Sequence, residues 1–257
     1  MRVFLASAYY TYRGTLAWLT PPMFVAQKMF IPLGQVSFFS LIGQYGGGQP
    51  LEFYLVGNAM LTAATAITFI SLMIDEERLV GTLQFLSATP ANRLALFAGR
   101  TAGHFVEGVV WVAIAFGWAV LVFGLDIPPG AWAGLLLAIL VAAAAAAGLG
   151  LLLGGLAFVS VDVQISINGA IFLLLLVSGA NIPTDELPGW LAAVGDLLPL
   201  KRSIEAARLL TDGEPLSEAL PYLVGDLLVG AAYATAGLLL FRWLEAQARR
   251  RGTLEGF

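Results

Sequence analysis

The sequence has no cysteine and only one histidine, His104. Disulfides, thiolate nucleophiles and metal sites made from cysteine and histidine are therefore excluded. There are only two lysines, Lys28 and Lys201, and neither follows a glycine, so the phosphate-binding G-x-x-x-x-G-K-[ST] loop is absent. No serine stands in a G-x-S-x-G motif either. We expect no catalytic residue, no bound cofactor and no metal in this chain.

Charge is scarce as well. Charged residues make up 12% of the chain and hydrophobic residues 59%, whereas ordinary globular proteins are about a quarter charged. The formal net charge of −4 gives no support for nucleic-acid binding. This composition indicates a protein that resides in a lipid bilayer.

Six apolar runs are each close to the roughly 20 residues that a helix needs to cross a bilayer. Their approximate bounds are 22–43, 53–74, 101–125, 131–159, 165–181 and 221–243. We expect an all-α integral membrane protein, with residues 1–257 forming a single domain of six transmembrane helices. Lys28, near the inner end of the first run, is expected to extend its stem to the membrane surface. Gly150-x-x-x-Gly154 in the fourth run predicts close helix packing, within the bundle or at a subunit interface.

Basic residues set the predicted orientation. With the N-terminus inside, most arginines lie on the inner side, and the outer side holds only Lys201, Arg202 and Arg208. The positive-inside rule then places both termini in the cytoplasm, in a cell inner or plasma membrane. Residues 1–20 mix arginine and aromatic residues as an interfacial helix does, with a frayed terminus as the alternative. The basic tail, residues 244–257, is expected to bind anionic lipid.

The longest polar stretch between the runs covers residues 75–100. Thr89 is a good N-cap and Pro90 suits the first turn of the next helix. Since the residue before a proline avoids helical geometry, a short helix of about 12 Å fits before Thr89. An apolar side that faces water indicates contact with another protein. The alternative is a helix that rests on the lipid headgroups. That side consists of Leu83, Phe85 and Leu86.

Two carboxylates, Glu107 and Asp226, and the one histidine, His104, fall inside the predicted spans. His104 and Glu107 are three residues apart and therefore share a helix face. Ionisable groups in a membrane usually face protein or a water-filled cavity. For Glu107 we consider a hydrogen bond to a neighbouring span, the wall of an inward-open substrate cavity, or a proton relay. For Asp226 in the sixth run we expect a salt bridge to one of three basic residues, Lys201, Arg202 or Arg208.

Two blocks of residues resemble a known family, the ABC-2 type transporter permeases. The first is Glu77-Arg78-x-x-Gly81-Thr82-Leu83-x-x-Leu86, followed by Thr89-Pro90 and Arg93, and it is similar to the family signature E-R-E-E-G-T-L-E-x-L-x-x-T-P-x-x-R. The resemblance implies that residues 75–100 contain a cytoplasmic coupling helix, between the second and third spans, which sits in a groove of the ATP-hydrolysing subunit. The residues expected to contact that subunit are Glu77, Arg78, Gly81, Thr82, Leu83, Phe85, Leu86, Thr89 and Pro90.

The second block lies in residues 182–213, where prolines break the chain into short pieces. It resembles the family pattern P-x-x-x-L-P-x-W, followed by L-P-L and E-A-x-R. The resemblance implies short extracellular or re-entrant helices between the fifth and sixth spans that cap the pathway on the outer side. The residues expected at this outer gate are Pro183, Leu187, Pro188, Trp190, Pro199 and Arg208.

The resemblance implies the membrane-spanning permease subunit of an ABC exporter. Its expected cargo is an amphipathic or lipid-like compound, a drug, an antibiotic or a lipid, taken from the cytoplasm or inner leaflet. Two copies of a separate ATP-binding subunit would hold ATP and Mg, and a second permease copy or a paralogue would complete a dimer. A polysaccharide or glycolipid exporter is the alternative within the family. From residues alone, an ion-coupled transporter or channel using Glu107 and Asp226 stays open, as does a membrane scaffold.

Overall fold

The computed structural model describes residues 6, 7, 9, 21–46, 48–79, 93–156 and 163–251. Within these ranges the chain is helical and contains no strand. The helices are α1 (Pro21–Gly46), α2 (Leu51–Leu61), α3 (Thr65–Leu79), α4 (Arg93–Phe123), α5 (Trp132–Leu156), α6 (Val163–Val177), α7 (Gly189–Leu197), α8 (Lys201–Thr211) and α9 (Leu216–Arg251). Two short 3-10 helices, Thr62–Ala64 and Pro129–Ala131, precede α3 and α5.

Four helical segments are long and apolar enough to cross a membrane: Leu51–Leu72, Thr101–Phe123, Pro129–Leu156 and Leu216–Leu244. The all-helical membrane architecture is therefore confirmed over the described residues. The predicted first and fifth spans correspond to α1, with 26 residues, and α6, with 15, and neither is among the four. Six spans thus stay a prediction.

The second predicted span is one helical segment with a tight turn in its middle. Thr62 donates its hydroxyl hydrogen to the Ala59 carbonyl at 2.6 Å, and Thr65 donates to the Thr62 carbonyl at 2.7 Å. Both bonds reach three residues back, where the 3-10 helix Thr62–Ala64 interrupts the α-helical pattern. The 3-10 turn does not end the helical segment, so α2 continues directly into α3.

α5 lies at the centre of the bundle and packs against α3, α4, α8 and α9, most extensively against α9. Its alanine and glycine residues allow this approach. A Cβ atom on Gly148 would collide with the backbone carbonyl of Gly230 on α9. On another face, a Cβ on Gly150 would lie 3.1 Å from the Cα of Ile67 on α3. Packing of the predicted small-residue motif inside the bundle is therefore confirmed at Gly150.

The proline-rich segment between α6 and α9 forms two short helices, as predicted. Pro188 directly precedes α7, and Pro199 lies in the break between α7 and α8. α8 packs against α2, α5 and α9. The α8 side chains buried in this contact are Ser203, Ile204, Ala206, Ala207 and Leu210. α8 is therefore part of the bundle, not a surface helix.

Several predicted features fall largely outside the described residues. Of the interfacial helix, only residues 6, 7 and 9 are described, and all three are helical. α9 continues from the last span to Arg251, so the first part of the basic tail extends that helix. Residues 80–92, half of the coupling segment, lie outside the description.

Candidate functional site

The helices α3 and α4 flank the predicted coupling segment and pack against each other. α3 carries Glu77 and Arg78 in its last turn, although their side chains are outside the description. α4 begins at Arg93, earlier than the predicted start of the third span. The other residues predicted to contact the ATP-binding subunit lie outside the described residues: Gly81, Thr82, Leu83, Phe85, Leu86, Thr89 and Pro90.

A charged cluster is buried between α1, α3 and α4, near the middle of α4. Oε1 of Glu107 forms an ion pair with Nζ of Lys28 on α1, and Oε2 lies 2.9 Å from Nδ1 of His104. Lys28 is 8% exposed and His104 6% exposed. The prediction that His104 and Glu107 share one helix face is confirmed. We refer to Lys28, His104 and Glu107 as the inner charged cluster.

Aromatic rings surround this cluster. The ring of Phe69 on α3 stacks on His104, with centroids 6.0 Å apart and an interplanar angle of 10°. Nζ of Lys28 lies 5.4 Å from the centroid of Phe69 and 5.0 Å from that of Trp111. Both distances are within the range of cation–π attraction. The cluster therefore joins α1 to α4, and Phe69 ties α3 to it.

The expected extension of Lys28 to the membrane surface is wrong. The lysine is buried because Glu107 offers an opposite charge inside the bundle, and two aromatic faces add favourable contacts. A buried lysine without such partners would be very costly. The partner of Glu107 lies on a neighbouring helix, α1, as in the first of the three interpretations considered for this residue.

Arg208 lies near the start of α2, away from the inner charged cluster, and connects α8 with two other parts of the chain. Its Nη2 donates hydrogen bonds to the carbonyls of Gly179 at 2.7 Å and Phe53 at 3.2 Å. The guanidinium carbon lies 3.6 Å from the centroid of the Phe53 ring. Burial lowers the pKa of Arg208 to about 10, against the opposing effect of Glu205 and Asp212, so the side chain stays charged at neutral pH.

A second link lies beside Arg208. Nδ2 of Asn58 on α2 donates to Oδ1 of Asn181 at 3.0 Å and to the Tyr54 carbonyl at 2.9 Å. Together with Arg208, this bond fixes the irregular segment after α6 to α2. The other predicted outer-gate residues differ in exposure: Pro183 and Leu187 are half-buried, Pro188 and Trp190 are exposed, and Pro199 is buried.

The expected salt bridge of Asp226 is wrong: none of the three predicted residues, all of which the structure describes, forms an ion pair with it, and Arg202 acts on the carboxylate only as a nearby charge. The carboxylate, fully buried on α9, accepts hydrogen bonds from the backbone N–H of Leu200 and from the hydroxyl of Ser203. Lys201 pairs with Asp196 at 2.7 Å instead, and Arg208 lies 3.8 Å from Glu205. Asp226 thus caps the start of α8, where unpaired N–H groups favour a negative charge.

Comparison with known proteins decides the family. The model of the ABC-2 type transporter family matches residues 7–210. The chain belongs to this family. The match includes the coupling segment and the second block up to Arg208. No curated protein matches the chain.

As an ABC-2 type transporter chain, the protein is the non-catalytic membrane subunit of an ABC transporter. The family works with an ATP-binding subunit and in a generally dimeric arrangement. The permease is therefore a membrane protein that takes part in transport.

Sequence reasoning missed several partners in this permease. Phe69, Trp111 and Ser203 carry no charge and stand in no motif, so only the fold shows that they surround the ionisable groups. A signal did exist for Lys28. It is one of two lysines and lies in an apolar run, which favours a buried carboxylate as its partner.

Proposed function

We propose that the chain is the permease subunit of an ATP-driven exporter for an amphipathic or lipid-like compound. In this proposal it has six spans with both termini in the cytoplasm, and residues 75–100 dock on the ATP-binding subunit. Two copies of that subunit bind ATP and Mg, and a second permease completes the transporter. The observation that carries the proposal is the family match, which includes the coupling signature from Glu77 to Pro90.

The arrangement of α3 and α4 supports the docking role of this segment. The two helices are in contact, and each extends beyond the apolar run that it contains: α3 to Leu79, and α4 back to Arg93. Residues 80–92 thus connect two packed helices. A displacement of this connection by a bound ATPase would act directly on both helices.

The buried carboxylates of the bundle are bound by other groups of the protein, and this supports a substrate of low polarity. In the part of the chain that the structure describes, the carboxylates of Glu107 and Asp226 are both bound by protein donors. Polar groups that are satisfied within the protein leave mainly apolar and small side chains for contact with a cargo. The same engagement favours an ATP-driven mechanism over ion coupling through these two residues.

The exposed face of α6 supports a second permease copy. Nε2 of Gln164 donates to Oδ1 of Asn168 at 3.2 Å, and both side chains are exposed in the single chain. Exposed amides on an otherwise apolar helix are unfavourable against lipid and are commonly covered by another helix. A second copy of this chain would cover these amides with its own Gln164 and Asn168.

Site-directed labelling tests the orientation. Because the chain has no cysteine, a single cysteine at Phe85 or Thr89 gives an unambiguous signal with a membrane-impermeant maleimide. We expect labelling only after the cytoplasmic side has been opened. Labelling of either position from outside intact cells would disprove the docking role.

Reconstitution tests the activity. We expect the permease to co-purify with an ATP-binding subunit encoded beside it, and the ATPase activity of the complex in liposomes to rise with amphipathic compounds. Stimulation by a soluble polysaccharide instead would replace the proposed substrate class. No association with any ATP-binding subunit would contradict the proposal itself.

A further inference from the structure

The inner charged cluster lies where the helices of the coupling segment meet α1. Glu107 is fourteen residues after the first residue of α4, which corresponds to about 21 Å of helix. Phe69 is ten residues before the end of α3, or about 15 Å. α1 itself packs mainly against α2 and α4. Lys28 is therefore the point at which α1 contacts both helices that lead into the coupling segment.

The contacts of this cluster fix α1 in a defined position along α4. Each carboxylate oxygen of Glu107 has its own partner, Lys28 for Oε1 and His104 for Oε2. His104 in turn stacks on Phe69, and Lys28 faces the rings of Phe69 and Trp111. A sliding or rolling apolar contact would tolerate a small shift of α1, whereas this ion pair would not.

Stability alone does not account for such an arrangement. Replacing a buried ion pair by neutral groups of similar size is often neutral or stabilising. The best-attested use of a buried polar contact is to fix the register of two elements. Here the elements are α1, which is not directly connected to the coupling segment along the chain, and α4, whose first residues belong to that segment.

We propose that Lys28 and Glu107 are positioning residues that make α1 follow α4 when the ATP-binding subunit displaces the coupling segment. This inference rests on the proposed function, because it requires an ATP-dependent movement. It assigns no substrate contact to either residue. Without the ion pair, α4 would still move with the coupling segment, and α1 would follow it less closely, because only apolar packing and the 2.9 Å hydrogen bond from Trp118 Nε1 to Ser37 Oγ would still join the two helices.

The test is a distance measurement on the complex with its ATP-binding subunit. Spin labels are placed at two exposed positions, Met29 on α1 and Leu239 on α9. Labelled chains are diluted with unlabelled chains, so that the measured distance lies within one chain. The distance is compared without nucleotide and with ATP, Mg and vanadate. The variant Lys28→Met/Glu107→Gln removes both charges together, so no unpaired charge stays buried, and the introduced glutamine keeps a side-chain oxygen for His104.

We expect the unmodified protein to show an ATP-dependent change in this distance, and the double variant to lose more than half of it while retaining ATPase activity. The matched control is Lys201→Met/Asp196→Asn, which removes an ion pair of 2.7 Å away from α1 and α4. The control should keep the full change. If the first double variant does not assemble, Lys28→Gln/Glu107→Gln replaces it with a hydrogen-bonding pair.

Two results would overturn the inference, and they differ in what they say about the proposed function. A full distance change in the assembled double variant would show that the ion pair is only structural, while the proposed function stands. No ATP-dependent change in the unmodified complex would contradict the proposed function itself, and the inference would fail with it.

Discussion

The carboxylate of Asp226 on α9 accepts a hydrogen bond from the backbone N–H of Leu200, with N–O distances of 3.0 Å to Oδ1 and 3.2 Å to Oδ2. Leu200 has a φ of +79°, in the left-handed region that leucine rarely adopts, at a cost of about 1–3 kcal/mol. The hydroxyl of Ser203 donates to the same carboxylate. A side chain of one helix thus stabilises a strained start of another, which explains why this aspartate is buried.

We predict that Asp226→Ala destabilises the protein by about 1–3 kcal/mol, because the buried N–H of Leu200 loses its acceptor. Asp226→Asn should be milder, since the amide keeps one oxygen. The midpoint of thermal unfolding in detergent measures both. Asp196→Ala is the matched control, since the side chain of Asp196 is 56% exposed, and it should change the stability by less than about 0.5 kcal/mol. Equal effects of the two alanine variants would contradict the capping role.

Arg208→Lys should loosen the segment between α6 and α7. A lysine cannot reproduce the planar group that stacks on Phe53 and reaches two carbonyls. We expect faster hydrogen exchange at residues 178–188. Arg242→Lys makes the same substitution at an exposed position and should leave this exchange unchanged. Unaltered exchange in the Arg208 variant would show that the two carbonyl bonds do not hold the segment.

Gly148→Ala should disrupt the packing of α5 on α9, because the added Cβ would collide with the carbonyl of Gly230. We expect a lower unfolding midpoint and a lower yield of folded protein. Gly34→Ala is the control, since nothing lies within 4 Å of a Cβ at Gly34 on α1. This control should be neutral or slightly stabilising, because alanine favours a helix more than glycine by about 1 kcal/mol. Similar midpoints for both variants would argue against a tight crossing.

Glu77→Arg and Gly81→Pro should each uncouple transport while the spans still insert. The first reverses a charge of the coupling signature, and the second prevents a helix there. We expect normal amounts of membrane-inserted protein but a loss of co-purified ATP-binding subunit or of stimulated ATPase activity. Asp126→Arg makes the same charge change on the exposed loop after α4 and should keep both. Normal export by both coupling variants would refute the predicted role.

Asn168→Cys should form a disulfide-linked dimer under mild oxidation if a second copy of the chain covers α6. The cysteine-free background makes the product unambiguous. Leu228→Cys on α9, also exposed in the single chain, serves as the control and should stay monomeric on a denaturing gel. A cross-link at Leu228 but not at Asn168 would place the second copy on α9 instead.

The fold was largely accessible from the sequence, because lipid forces each span to satisfy its backbone hydrogen bonds internally as a helix. The proline positions were enough to predict the breaks at Pro188 and Pro199. The partners of Lys28 and Asp226 were not accessible. Lys28 was predicted to reach the membrane surface, whereas it pairs with Glu107 on a helix distant in sequence. For Asp226 the predicted partners lie on α8, the correct helix, but the carboxylate binds a backbone N–H and a hydroxyl there and not a basic side chain.

The sequence by itself determined the class of this protein: a helical membrane subunit without catalytic machinery, with a family signature between two spans. These properties depend on composition and local order, which the chain carries in full. Only the tertiary structure decided that Lys28 turns inward to Glu107 and that Asp226 caps α8. Such choices depend on which helices become neighbours and at what depth, and a buried charge takes the partner that packing brings within reach.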